Sequence, residues 1–199
     1  WSLNATHVVF GLAVNYEWLD LHVFVMSLRR AGYLGRIVLF MSAQRRPLTR
    51  DRLSKWGVDV VEIRRQFPYF IDEALLGQMR PWMQAYAGLG DLQEVVARVL
   101  MSAAWLQANP TFTHVLMTDT RDVAFQRDPF AWSMDRSSVY FAAEQSQYFK
   151  DTVFTLDTET FNQKFIMRTF GPDERAKLVG KAIMCSGTIF GWREPMLQF

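Results

Sequence analysis

Three short apolar runs, separated by amphipathic stretches and joined by brief links, constrain what this chain can fold into more than any other feature. Residues 7–14 read HVVFGLAV, residues 37–41 IVLFM and residues 58–63 VDVVEI. The first two are short and apolar, the signature of a strand buried on both faces, and the third reads as a further strand. Between the first two, residues 17–31 carry apolar side chains on nearly every face and stop at Gly32. That pattern predicts a helix covered by neighbours on more than one side, with Asn15 as its cap. Between the second and third runs, Pro47 and Thr49 open a short amphipathic helix through Trp56, and Gly57 ends it. Strand, helix, strand, helix, strand with short links predicts a parallel sheet with crossover helices.

The pattern lapses over residues 64–90, where Tyr, Phe, Trp, Pro and Gly cluster without a period; one helical turn around Ile71–Leu76 is all it suggests. Asp91 and Glu94 then form a capping box for a helical stripe of Leu92, Val95, Val96, Val99, Leu100 and Ala103, ended by Asn109-Pro110. Strands follow at 114–118 and 139–143, helices at 158–170 and 172–182, and a late strand from Cys185 to Gly191. No repeat or linker interrupts residues 1–199, so the expectation is a single α/β domain with a mostly parallel central sheet flanked by helices. The chain starts with Trp and stops in mid-pattern at Phe199, which suggests a piece truncated at its C-terminus.

Composition narrows the function classes. Half the residues are hydrophobic and 21% are charged, which argues against disorder. A net charge of +2 gives no electrostatic footprint for nucleic acid. The single Cys185 has no internal disulfide partner, and no apolar run approaches the roughly 18 residues of a membrane span. Asn4-Ala5-Thr6 is a glycosylation sequon, meaningful only on a secretory route.

The chemistry concentrates in VLMTDTRDVAFQRDPF, residues 115–130. A hydrophobic strand stops at Asp119-Thr120-Arg121-Asp122. In open α/β sheets, ligands bind beyond the carboxyl ends of strands. Residues i and i+3 of a straight strand face opposite sides, so Asp119 and Asp122 converge only where Thr120-Arg121 turn the chain. Two carboxylates on a turn, with positions left for water and phosphate oxygens, suit Mg²⁺ or Mn²⁺. The bland alternative is a strand-ending turn in which Arg121 neutralises the pair.

HVVFGLAVNY, SLRRAGYLGRIVLF and VLMTDTRDVAFQRDPF together resemble nucleotide-sugar glycosyltransferases of the Rossmann-like GT-A fold, those with an Asp-x-x-Asp variant of the Asp-x-Asp metal motif. The resemblance implies transfer of a sugar from a nucleoside-diphosphate sugar to a hydroxyl on a glycan, protein or lipid. It implies Mn²⁺ or Mg²⁺ bound by Asp122, with Asp119 on the ribose or helping to hold the metal. It also implies that Leu12, Ala13, Val14 and Asn15, after the first strand, meet base and ribose through backbone groups. One departure stands out: His7, His22 and His114 all precede the motif, so the family's C-terminal histidine ligand is missing or lies past Phe199. Relatives of this kind often work in the Golgi lumen behind an N-terminal anchor.

Other candidates are weaker. Arg98, on the helix before the acidic strand, could brace the carboxylates or meet the diphosphate; a solvated helix face is the alternative, and Arg80 shares the ambiguity. His114 reads as structural. Glu144, ahead of Asp151 and Asp157, is the best-placed carboxylate to take a proton from an acceptor hydroxyl. Ser186-Gly187 could let the backbone pass close to sugar or acceptor, or be a plain β-bend. Aromatics over 67–86 could stack on sugar or base, or belong to the core. Two rivals remain: a phosphatase of the Asp-x-Asp-x-Thr type, disfavoured because its motif belongs near the first strand, and an inactive binding or scaffold domain that keeps the fold.

Overall fold

A computed structural model describes residues 6–42, 47–63, 92–143, 155, 163–164, 166–167 and 171–198. Strands are β1 (His7–Ala13), β2 (Arg36–Ser42), β3 (Val58–Ile63), β4 (His114–Thr118), β5 (Val139–Ala143) and β6 (Met184–Trp192). Helices are α1 (Trp18–Arg30), α2 (Pro47–Lys55), α3 (Leu92–Ala108), α4 (Pro172–Leu178) and α5 (Arg193–Gln198). The fold class is the expected one: a Rossmann-like α/β arrangement around a mostly parallel sheet. Among the described residues that sheet has six strands, in the order β3-β2-β1-β4-β6-β5. β1 runs parallel to β2 and β4, and β2 parallel to β3, while β6 runs antiparallel to β4. The chain forms two compact units, one of residues 1–140 with 187–199 and one of residues 141–186.

Strand alternation divides the larger unit's core into two layers. Val9, Ala13, Ile37, Leu39, Met41 and Leu116 pack against Leu21, Phe24, Val25 and Leu28 of α1 and Leu53 of α2. The opposite face carries Phe10, which lies 5.8 Å from Phe40 and 5.3 Å, edge-on, from Trp105 of α3. Met101 and Leu106 of α3 are buried with them. Each such side chain taken out of water contributes about 1.5–3 kcal/mol.

Several expectations need correction. α1 is buried along one face rather than on more than one side: its buried residues follow the i, i+3, i+4, i+7 spacing, while Leu19 and Val23 stay 71% and 45% exposed. Asn15 does not cap α1. It takes φ 61° in the turn, and the N-cap is Glu17, whose N–H donates to the Asp20 carboxylate at 2.9 Å. Gly32 ends the helix as expected, its φ of 91° letting the Tyr33 N–H reach back to the Leu28 carbonyl at 3.3 Å. The helix expected over 172–182 stops at Leu178, because Val179 turns to an extended ψ of 135°. The run after Trp192 is a helix, α5. Of the helix expected over 158–170, residues 163, 164, 166 and 167 are described and are helical. The reading of residues 64–90, and Asp91 as a cap, lie outside the described residues.

Candidate functional site

The strand order reverses at β1. The chain builds β2 and β3 to one side of β1, then returns to place β4 on the other. The carboxyl ends of β1 and β4 therefore mark the topological switch point, beyond which open α/β sheets bind ligands. Leu12 and Ala13 end β1, and Val14 and Asn15 form the turn that follows. Asp119 directly follows β4, and the chain bends at Thr120, Arg121 and Asp122. The chain thus bends between the two carboxylates.

Thr120 ties the two loops together. Its side chain is 2% exposed, and its hydroxyl donates to the Leu12 carbonyl at 3.1 Å. Its methyl lies against Gly11: a Cβ there would fall 2.1 Å from Thr120 Cγ2 and 2.9 Å from Leu39 Cδ2. Glycine at this point of β1 is the condition for the acidic bend to approach so closely. A second tie comes from β2, where the Ser42 hydroxyl accepts from the Asn15 N–H at 2.9 Å. A third is Arg121, whose guanidinium lies 3.8 Å from the Asp20 carboxylate and 5.8 Å from the Tyr16 ring centre. Arg121 therefore turns toward α1 rather than lying between the aspartates as their neutralising partner.

Asp119 is paired instead with Arg98. The arginine lies on α3, is 3% exposed, and donates from Nη1 to Asp119 Oδ1 at 2.5 Å, while the Asp119 side chain remains 55% exposed. The Asp119 N–H donates to the Gly187 carbonyl at 2.8 Å, so β6 holds the backbone where the bend begins. Asp122 is exposed and makes no hydrogen bond or ion pair among the described residues. Among those residues, no three His, Cys, Asp or Glu side chains gather as a metal cage. A carboxylate pair alone is a donor set that fits Mg²⁺ or Mn²⁺, which take one or two carboxylates and complete their shells with water and substrate phosphate.

The remaining candidates are placed less closely. Ser186 and Gly187 lie in β6, and Gly187 meets Asp119 only through the backbone. Glu144, Asp151, Asp157, Arg80 and the aromatics of 67–86 lie outside the described residues. His114 begins β4, at the end of the strand opposite Asp119, with its ring 4.4 Å from His7 and 4.1 Å from Trp192. Burial and the neighbouring His7 and Arg136 hold its pKa below the ordinary value, as befits a structural ring. Sequence reasoning missed Gly11, Ser42 and Asp20. Gly11 had a signal, since a lone glycine inside an apolar strand marks a close backbone approach. Ser42 and Asp20 had none, because their partners are set by tertiary packing.

No family model matches the sequence, and no curated protein does. Among solved structures, the chain is similar to core-mannan synthase A (CmsA/Ktr4) from Aspergillus fumigatus in its Mn/GDP form, with a TM-score of 0.49 and 13% identity. The likeness covers 96% of this chain and 60% of that one, so the chain spans less than two thirds of that structure's length.

Proposed function

We propose that this chain is a metal-assisted glycosyltransferase of the GT-A type, moving a sugar from a nucleoside-diphosphate sugar to a hydroxyl acceptor. A single nucleotide-sugar-binding domain over residues 1–199 belongs to the same reading. The observation that carries it is the meeting of two loops at the switch point: Thr120 hydrogen-bonds Leu12, and the bend it anchors presents Asp119 and Asp122.

In this reading Asp122, with Asp119, holds Mn²⁺ or Mg²⁺, which supplies Lewis-acid stabilisation of the charge that builds on the departing diphosphate. Leu12, Ala13, Val14 and Asn15 receive base and ribose through backbone groups, and Ser186-Gly187 pass close to sugar or acceptor. Glu144 takes the proton from the acceptor hydroxyl as the new glycosidic bond forms. The protein's larger task is to hold donor and acceptor in line and keep water out. Arg98 favours one second reading. It already engages one Asp119 oxygen, as it would in a domain that kept the fold as a binding scaffold.

Calorimetry separates the readings. The chain should bind UDP, GDP or CDP in the presence of Mn²⁺ or Mg²⁺ and not in EDTA, and Asp122→Ala should abolish that binding. Nucleotide binding indifferent to metal sinks the mechanism. No nucleotide binding at all leaves the scaffold.

A further inference from the structure

An arginine in a buried helical stripe is a costly choice, since its charge leaves water and a leucine would pack there at less expense. Arg98 sits between Ala97 and the buried Met101 and Ser102, and the Ser102 hydroxyl donates to its carbonyl at 2.8 Å. The pair it makes with Asp119 differs from the ordinary surface pairs of this protein. In Arg36–Asp59 and Arg50–Glu62 both partners are about half exposed. Exposed pairs of that kind do little to fix either side chain. In Arg98–Asp119 the cation is walled in by the fold while the carboxylate looks out at the switch point.

We infer that Arg98 is a positioning residue for Asp119: it fixes one carboxylate oxygen from below and so offers the other, in a set orientation, to a cation and its diphosphate. The inference rests on the proposed function and deepens it. A carboxylate already held has less rotamer freedom to lose when a ligand arrives, which raises affinity without any new contact to the ligand. Partners behind a metal ligand act in this way, and their removal typically weakens metal binding about 10- to 100-fold. Because Arg98 acts through Asp119, its contribution vanishes when Asp119 no longer presents a carboxylate.

The test is a double-mutant cycle on Mn²⁺ affinity, read from the electron paramagnetic resonance of the free ion during separate titrations with UDP, GDP and CDP. Arg98→Met and Asp119→Asn should each weaken Mn²⁺ binding by about tenfold or more, and the double variant should be no weaker than Asp119→Asn alone. Arg98→Lys, which keeps the charge but not the fork, should fall between wild type and Arg98→Met. Where Arg98→Met fails to fold by circular dichroism, the Arg98→Lys cycle carries the same comparison. Multiplying losses in the double variant, or Mn²⁺ affinity unchanged in the single one, overturns the positioning role. If that happens while wild type still binds Mn²⁺ through Asp122, the proposed function survives. Wild type that binds no Mn²⁺ with any of the three nucleotides removes both.

Discussion

Two buried arginines, one toward each end of the sheet, show how the same side chain serves a scaffold and a site. Arg29, near the end of α1, is 7% exposed and donates to four carbonyls: Trp56 at 3.0 Å, Tyr33 at 3.0 Å, and Gly35 and Gly57 at 2.8 Å each. These carbonyls belong to the links that lead into β2 and β3, so one guanidinium staples three elements at the sheet's amino-terminal edge. Tyr33 reinforces that edge, its hydroxyl contacting the His7 and Arg36 carbonyls at 3.0 and 2.8 Å. Arg98 is buried just as deeply at the carboxyl edge, yet it reaches an exposed carboxylate. The difference lies in what each arginine faces. Neutral carbonyls inside the fold hold loops in place, whereas an outward carboxylate leaves capacity for a ligand.

The largest effect should come from the scaffold end. Arg29→Met leaves four carbonyls without that donor, and hydrogen bonds to a charged group are each worth more than neutral ones, so a loss of about 3 kcal/mol or more is expected. Urea unfolding measures it. The comparison sharpens if the folded fraction still binds nucleotide with its metal dependence intact, and it breaks if Arg29→Met unfolds at the same urea concentration as wild type.

A smaller effect belongs to the close approach at Gly11. Gly11→Ala drives a methyl into the Thr120 side chain and toward Leu39, an overpacking that costs about 1–3 kcal/mol. Removing the obstructing methyl with Thr120→Ser, while keeping the hydroxyl that bonds Leu12, should return most of that loss in the double variant. Thermal unfolding of the two singles and the double checks this. Additive losses would mean that the two loops are not joined where Thr120 places them.

The scaffold end was the more legible in the sequence. The runs HVVFGLAV, IVLFM and VDVVEI and the helices between them follow from hydrophobic period and from Gly32 and Gly57, features local enough to read along the chain. Asp119 and Asp122 stood out because a charge run cut short an apolar strand. What sequence could not supply was direction. Arg121, set between the aspartates, turns to Asp20 and Tyr16, while Arg98, twenty-one positions upstream of Asp119, becomes its partner. Asn15 read as a cap because asparagine favours that role, but its positive φ places it in the turn and leaves capping to Glu17 and Asp20. Each of these outcomes depends on which strands are neighbours, and period carries no information about that.

The smallest predicted effect sets the two ends apart by pH. His7 and His114 lie at the amino-terminal edge, their rings against Phe130 and Trp192. Burial lowers both pKa values below the ordinary 6.5, with Asp128 partly opposing this for His7, while His7 and Arg136 lower His114 further. Both rings are thus neutral in the fold at pH values where the unfolded chain already takes up protons. Where the unfolded state binds more protons, stability rises with pH. The contribution is fully present above about pH 6.5 and is lost as pH falls through the lowered values of the folded state. Between pH 7 and 5 the melting temperature should therefore drop, and His114→Asn should flatten the slope by removing one of the two rings. A melting temperature that stays level from pH 7 to 5 in wild type would show that the amino-terminal edge admits protons as freely as the unfolded chain, and the contrast between a sealed scaffold edge and an open site edge would then fail.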